Sequence, residues 1–166
     1  MINIKPLRLV QISVAALAGI YLLLVGINNV LDYDVNFEFA KQVMSMQDTF
    51  PSNDLDDWRS ITQLWLIHIF YIGIIILEIS GGLFTLKGTA DLFKNRYNAV
   101  TIFQQKKQFA FLGMLLGLVL WAGIFLIVAG EWFLMWQSAT WNAQGTAFNL
   151  AILYGVFILI LAKEEL

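Results

Sequence analysis

Cysteine is absent from this 166-residue chain, histidine occurs once and proline twice. Without cysteine there is no disulfide, no thiolate nucleophile, no thiolate-bound zinc and no iron–sulfur cluster. The single histidine, His68, cannot by itself supply a bis-histidine haem or a three-histidine zinc site; a second axial ligand would have to be methionine or come from another chain. No nucleophile-elbow motif accompanies it, so serine-hydrolase chemistry is unsupported. Charge is scarce as well, at 13% of residues against 59% apolar, where an average soluble domain has roughly 25% and 45–50%. Apart from the short middle loop, no basic patch of useful size faces a nucleic-acid compartment, which argues against nucleic-acid binding.

What is present is long apolar sequence. Residues 7–27, 61–86, 109–129 and 146–161 each form a run able to cross, or nearly cross, a bilayer as a helix. The fold class expected is all-α, an integral membrane four-helix bundle forming a single domain over residues 1–166 with the lipid bilayer as its solvent. Lys5 and Arg8 stand at the first run; Lys87, Lys94, Arg96, Lys106 and Lys107 lie around the loop 87–108; Lys163 follows the last run. Only Lys41 and Arg59 fall in the other loops, 28–60 and 130–145. By the positive-inside rule both termini and the middle loop are cytoplasmic, and loops 28–60 and 130–145 face outward. The first run begins like a signal peptide, with Ala16-Leu17-Ala18, but apolar residues continue to Ile27, so an uncleaved span is expected.

Smaller features refine this picture. Phe39, Val43 and Met46, at spacings of four and three, predict a short amphipathic helix over 35–46 in the first outer loop, broken by Pro51 and the Ser52-Asn53-Asp54 cluster. Leu92, Phe93, Arg96, Tyr97 and Val100 suit either an interfacial helix or a solvated loop. Small residues recur in steps of four: Ala15 and Gly19, Gly113 and Gly117, then Ala147, Ala151 and Gly155. Such stripes allow close helix contact within the bundle, in a homo-oligomer or with a membrane-protein partner. The third run has no charged or amide side chain from 109 to 129 and is expected to carry much of the lipid-facing surface.

Two groups of residues could carry chemistry. His68, Tyr71 and Glu78 fall on one face of the second span, with Glu78 deep in the hydrocarbon. An intramembrane carboxyl binds a proton or cation, or it locks helices together, here with Gln11, Ser13 or Tyr154 as candidate partners. The second group lies at the outer face: Asn29, Asp32, Trp58, Arg59, Glu131, Trp132, Trp136, Gln137, Asn142 and Gln144. It reads as an aromatic belt with locked loops centred on an Arg59–Glu131 or Arg59–Asp32 ion pair, or as a binding or partner-contact site. No metal site is expected, since Asp32, Asp34 and Asn36 lack the remaining pattern of a calcium loop.

The outer residues also carry a resemblance. Asn28-Asn29, Asp32-Tyr33, Asn36-Phe37, Val43-x-Ser45-Met46, Thr49-Phe50-Pro51 and Trp58-Arg59-x-Ile61 are followed by Glu78. Then come Gly130-Glu131-Trp132-Phe133-x-Met135-Trp136-Gln137-Ser138, Trp141-Asn142-x-Gln144 and Ala147-Phe148. In these the chain resembles a bacterial family of predicted small integral membrane proteins, domain of unknown function 2165. The resemblance implies a four-helix protein of the Gram-negative inner membrane and brings no established activity with it. The reading that follows is a non-enzymatic accessory or scaffold subunit of a larger membrane assembly, with no cofactor required. The alternative is a quinone-, haem- or proton-handling subunit using the His68, Tyr71 and Glu78 face.

Overall fold

The computed structural model describes residues 5–51 and 54–165; among them it contains helices and no strand. The break expected at Ser52 and Asn53 lies outside the described residues. Helix α1 spans Pro6–Leu31, with proline at its first position, where a missing N–H costs nothing. It ends where Asp32 leaves helical geometry, and α2, Tyr33–Ser45, follows at once. Met46 closes α2 in the left-handed region, at φ 55°. The one-turn α3, Asp56–Arg59, leads into α4, Leu64–Lys94. Helix α5, Val100–Gln105, runs into α6, Gln108–Leu118, which continues as a π-helical segment over Val119–Trp132. A 3-10 turn, Met135–Gln137, precedes α7, Gln144–Ala162.

Four rods are long and apolar enough to cross a membrane: Pro6–Leu31, Leu64–Lys94, Val100–Trp132 and Gln144–Ala162. One expectation needs correction. Leu92 and Phe93 belong to the last turns of α4 and not to a separate interfacial helix, because Leu92 is fully buried in the core and Lys87 and Asp91 brace the same helix four residues apart at 2.7 Å. The third rod, expected to carry much of the lipid-facing surface, is indeed less covered by protein than the first two; α7 is covered least.

Lipid tails give helices no hydrophobic reason to associate, so close packing must hold the rods together. The small residues provide it within the bundle. Gly88 lies against the backbone of Ala110, Gly113 against Gly81 and Thr85, and Gly117 against the ring of Tyr154, whose hydroxyl donates to the carbonyl of Ala18 at 2.8 Å. Of the glycines in the four-residue stripes, Gly155 is the exception, facing open space.

At the face bearing both termini, the polar groups are knotted together. Arg8, 4% exposed, donates through Nε and Nη2 to the Glu165 carboxylate and through Nη1 to the carbonyls of Arg96 and Asn98 at 2.8 and 2.7 Å. Its guanidinium lies over the Phe103 ring. Lys5 adds a second cation to Glu165 at 3.1 Å. The last carbonyls of α7, which lack intrahelical partners, are taken up by Gln11 Nε2 on Ile160 and Lys163 and by Lys107 Nζ on Lys163. These bonds tie α1, the turn after α4 and the end of α7 together, at the same end of the bundle where Gly88 brings α4 onto α6 at Ala110.

Candidate functional site

Toward the opposite, loop-rich face the same two rods diverge. Helices α4 and α6 pack closely, whereas α4 and the π segment scarcely touch. The gap is a cleft of about 730 Å³ between α4 and the π segment, with α1 behind it and α2 across its top. That volume falls in the usual range for small-molecule sites, roughly 300–1,000 Å³. The walls are apolar: Ile69, Ile74 and Leu77 from α4, Ile124, Phe125 and Val128 from the π segment. The rim residues Ile69, Phe70, Ile76 and Val128 are exposed, so the cleft opens sideways at the depth of the hydrocarbon. A π-helix places each residue's hydrogen bond one position further along than an α-helix; it is rare, and where it occurs inside an α-helix it is frequently at a functional site.

The floor is polar. Glu78 stands near the middle of the 31-residue α4 and is 1% exposed. Its Oε2 accepts a hydrogen bond from Asn29 Nδ2 at 2.7 Å, and both residues line the cleft. Tyr71 also lines it and donates through its hydroxyl to the Asn29 carbonyl at 3.2 Å. Trp121 lines the other wall; its Nε1 is buried without a hydrogen-bond partner among the described residues. No lysine, arginine or histidine borders the cavity.

Several expected placements change. Glu78 is held by Asn29 and not by Gln11, Ser13 or Tyr154, because α1 continues past Ile27 and carries Asn29 down onto α4. Gln11 and Tyr154 are engaged elsewhere, as described above. Asn29 thus belongs to the membrane cleft and not to the outer group. His68 shares a face with Tyr71 but does not line the cavity. Its Nδ1 meets the Tyr33 hydroxyl at 2.7 Å, and its ring stacks on Phe37 with centroids 3.9 Å apart.

The outer residues form separate small contacts. Arg59 makes no ion pair with Glu131 or Asp32; the ion pairs among the described residues lie elsewhere. Its Nη1 instead reaches the Glu131 and Trp132 carbonyls at 3.4 Å, and the guanidinium sits against both the Trp58 and Trp132 rings, 4.9 and 4.8 Å from their centroids, the two indoles meeting edge-on at 5.4 Å. Both indoles are exposed, as are Asp32 and Glu131. Gln137 Oε1 accepts from the Phe50 amide at 2.9 Å, and Trp136 meets the Phe50 ring edge-on. Asn142 Oδ1 accepts from the amide of Gln144 at the start of α7. Ser138, which ends the tryptophan-rich run but is not among the expected site residues, donates to Asp48 and accepts from the Thr140 and Trp141 amides, tying the two outer loops together.

The fold and the cleft define a small polytopic helical membrane protein. A family model described as a predicted small integral membrane protein (DUF2165) matches residues 7–164, and the chain belongs to that family. Comparison with curated proteins and with solved structures returned no match.

Proposed function

We propose that the protein is a non-catalytic membrane protein that holds a lipid-like amphiphile in the cleft between α4 and the π segment. The observation that carries this reading is the cleft itself: apolar walls, a sideways mouth and a carboxyl with an amide at the floor. An amphiphile has the matching layout of long tail and small polar head, and a quinone would fall within this class. Haem fits less well, since His68 is taken up by Tyr33 and Phe37. The basic residues near the termini support an orientation with both termini cytoplasmic in a bacterial inner membrane, the cleft then opening to the outer leaflet.

The test is native mass spectrometry of gently extracted protein. The wild type should carry a non-covalent adduct of lipid-like mass. Gly73 lines the cleft, and a Cβ placed there meets nothing within 4 Å, so Gly73→Leu fills space without a clash and exchanges a poor helix former for a good one. That variant should fold normally and lose the adduct. Equal adduct on both proteins would count against the cleft.

A second reading, an accessory or scaffold subunit, is favoured by the exposed Trp58 and Trp132 around Arg59, since indoles and arginine are enriched where interfaces concentrate their energy. Replacing both tryptophans with alanine should strip a co-purifying membrane subunit while the helices stay folded. Unchanged co-purification would remove this reading.

A further inference from the structure

We infer, building on the amphiphile reading, that the head group held at the cleft floor is a cation, such as the ammonium of a long-chain amine. The argument begins with the placement of Glu78. Its carboxyl is 1% exposed and deep in the bundle, and Asn29 is its hydrogen-bond partner, on Oε2 alone. Oε1 has no protein donor among the described residues. An acid at this depth normally faces a cation or a second polar group. Here the cavity that Glu78 borders contains no lysine, arginine or histidine, and every ion pair among the described residues lies on another part of the molecule.

The rest of the lining agrees with a positive ligand. Phe39, Phe70, Tyr71, Trp121, Phe125 and Phe133 all border the cavity, and aromatic faces attract ammonium groups, the more strongly when water is excluded. An anionic head would meet the Glu78 carboxyl with no basic residue to offset it. A neutral hydroxyl could bond to Oε1 but would leave the aromatic lining without electrostatic use. A primary ammonium can donate to the free carboxylate oxygen and to the open acceptor of Asn29, while its chain runs along α4 from Leu77 toward Ile69. That stretch covers about 12 Å of helix rise.

Dodecylamine and dodecanol make a matched pair, with equal chains and heads that differ in charge at neutral pH. Binding of each, tritiated, is measured by scintillation proximity on the full chain in nanodiscs of zwitterionic lipid, for the wild type, Glu78→Gln and Gly73→Leu. The Gly73→Leu signal sets the background from partition into the bilayer. The wild type should prefer the amine by about tenfold or more, the scale of one hydrogen bond to a charged group. In Glu78→Gln, which keeps the shape and the contact with Asn29, the ratio of amine to alcohol affinity should fall to about one. A wild type that binds both equally, or a Glu78→Gln protein that keeps the preference, overturns the cation inference and leaves the amphiphile reading standing. Binding of neither above the Gly73→Leu background overturns both.

Discussion

Gly113→Leu should prevent stable assembly of the bundle. A Cβ at position 113 falls inside contact distance of Thr85 Oγ1 and N and of the Gly81 carbonyl. Those are main-chain atoms and a hydroxyl already committed to the Gly81 carbonyl at 2.7 Å, so nothing flexible can yield. Overpacking where side chains can adjust costs typically 1–3 kcal/mol; here two helix backbones must separate, and we expect about 3 kcal/mol or more. Equilibrium unfolding in mixed detergent micelles, followed by circular dichroism, reads the loss. Gly155→Leu is the internal control, because position 155 faces open space, and its effect should stay within about 0.5 kcal/mol. A Gly113→Leu protein as stable as the control would mean that the contact between α4 and α6 does not hold the bundle.

Arg8→Ala should be comparably damaging for an electrostatic reason. Both side chains of the Arg8–Glu165 pair are nearly fully buried, 4% and 3% exposed. Removing one partner of a buried pair costs about 3–5 kcal/mol, since the remaining charge keeps its desolvation cost and loses its attraction. The carbonyls of Arg96 and Asn98 lose their donor as well. The same contact makes stability depend on pH. Hydrogen bonds from Arg8, with further help from Lys5, hold the Glu165 carboxyl below its usual range despite burial. Its contribution is therefore complete above the pKa of an unfolded glutamate and is lost as pH falls through the lowered folded value. Unfolding midpoints collected from neutral to acidic pH should drop for the wild type and stay flatter for Arg8→Ala. Parallel curves would show that Glu165 is not the titrating group.

The sequence makes some of this legible and hides the rest, for identifiable reasons. Four spanning helices follow from uninterrupted apolar runs, because hydrophobic length is read directly from composition. Glu78 stands out as a charge within such a run. Its partner does not: Asn29 lies beyond the last residue of the first apolar run and reads as part of an outer rim, and only the continuation of α1 to Leu31 brings it to Glu78. The π segment and Trp121 are silent because residues 109–129 are uniformly apolar and offer no periodic contrast. The divergence that forms the cleft is a property of two rods together, set by glycines near one end and a widened helix near the other. At the outer face the residue types pointed to a cluster, but opposite charges along a sequence do not specify contact; Arg59 settles against a pair of indoles and leaves Asp32 and Glu131 exposed.

The terminal knot also sets an order of events. Arg8 and its carboxylate partner are separated by 157 positions. At the usual ribosomal pace of about 5–20 residues per second, the guanidinium is made roughly 8–30 s before the group that neutralises it. Over that interval α1 can meet α4 through Gly19 and Leu86, so the first helix contact of the bundle forms while Arg8 still lacks the carboxylate that neutralises it.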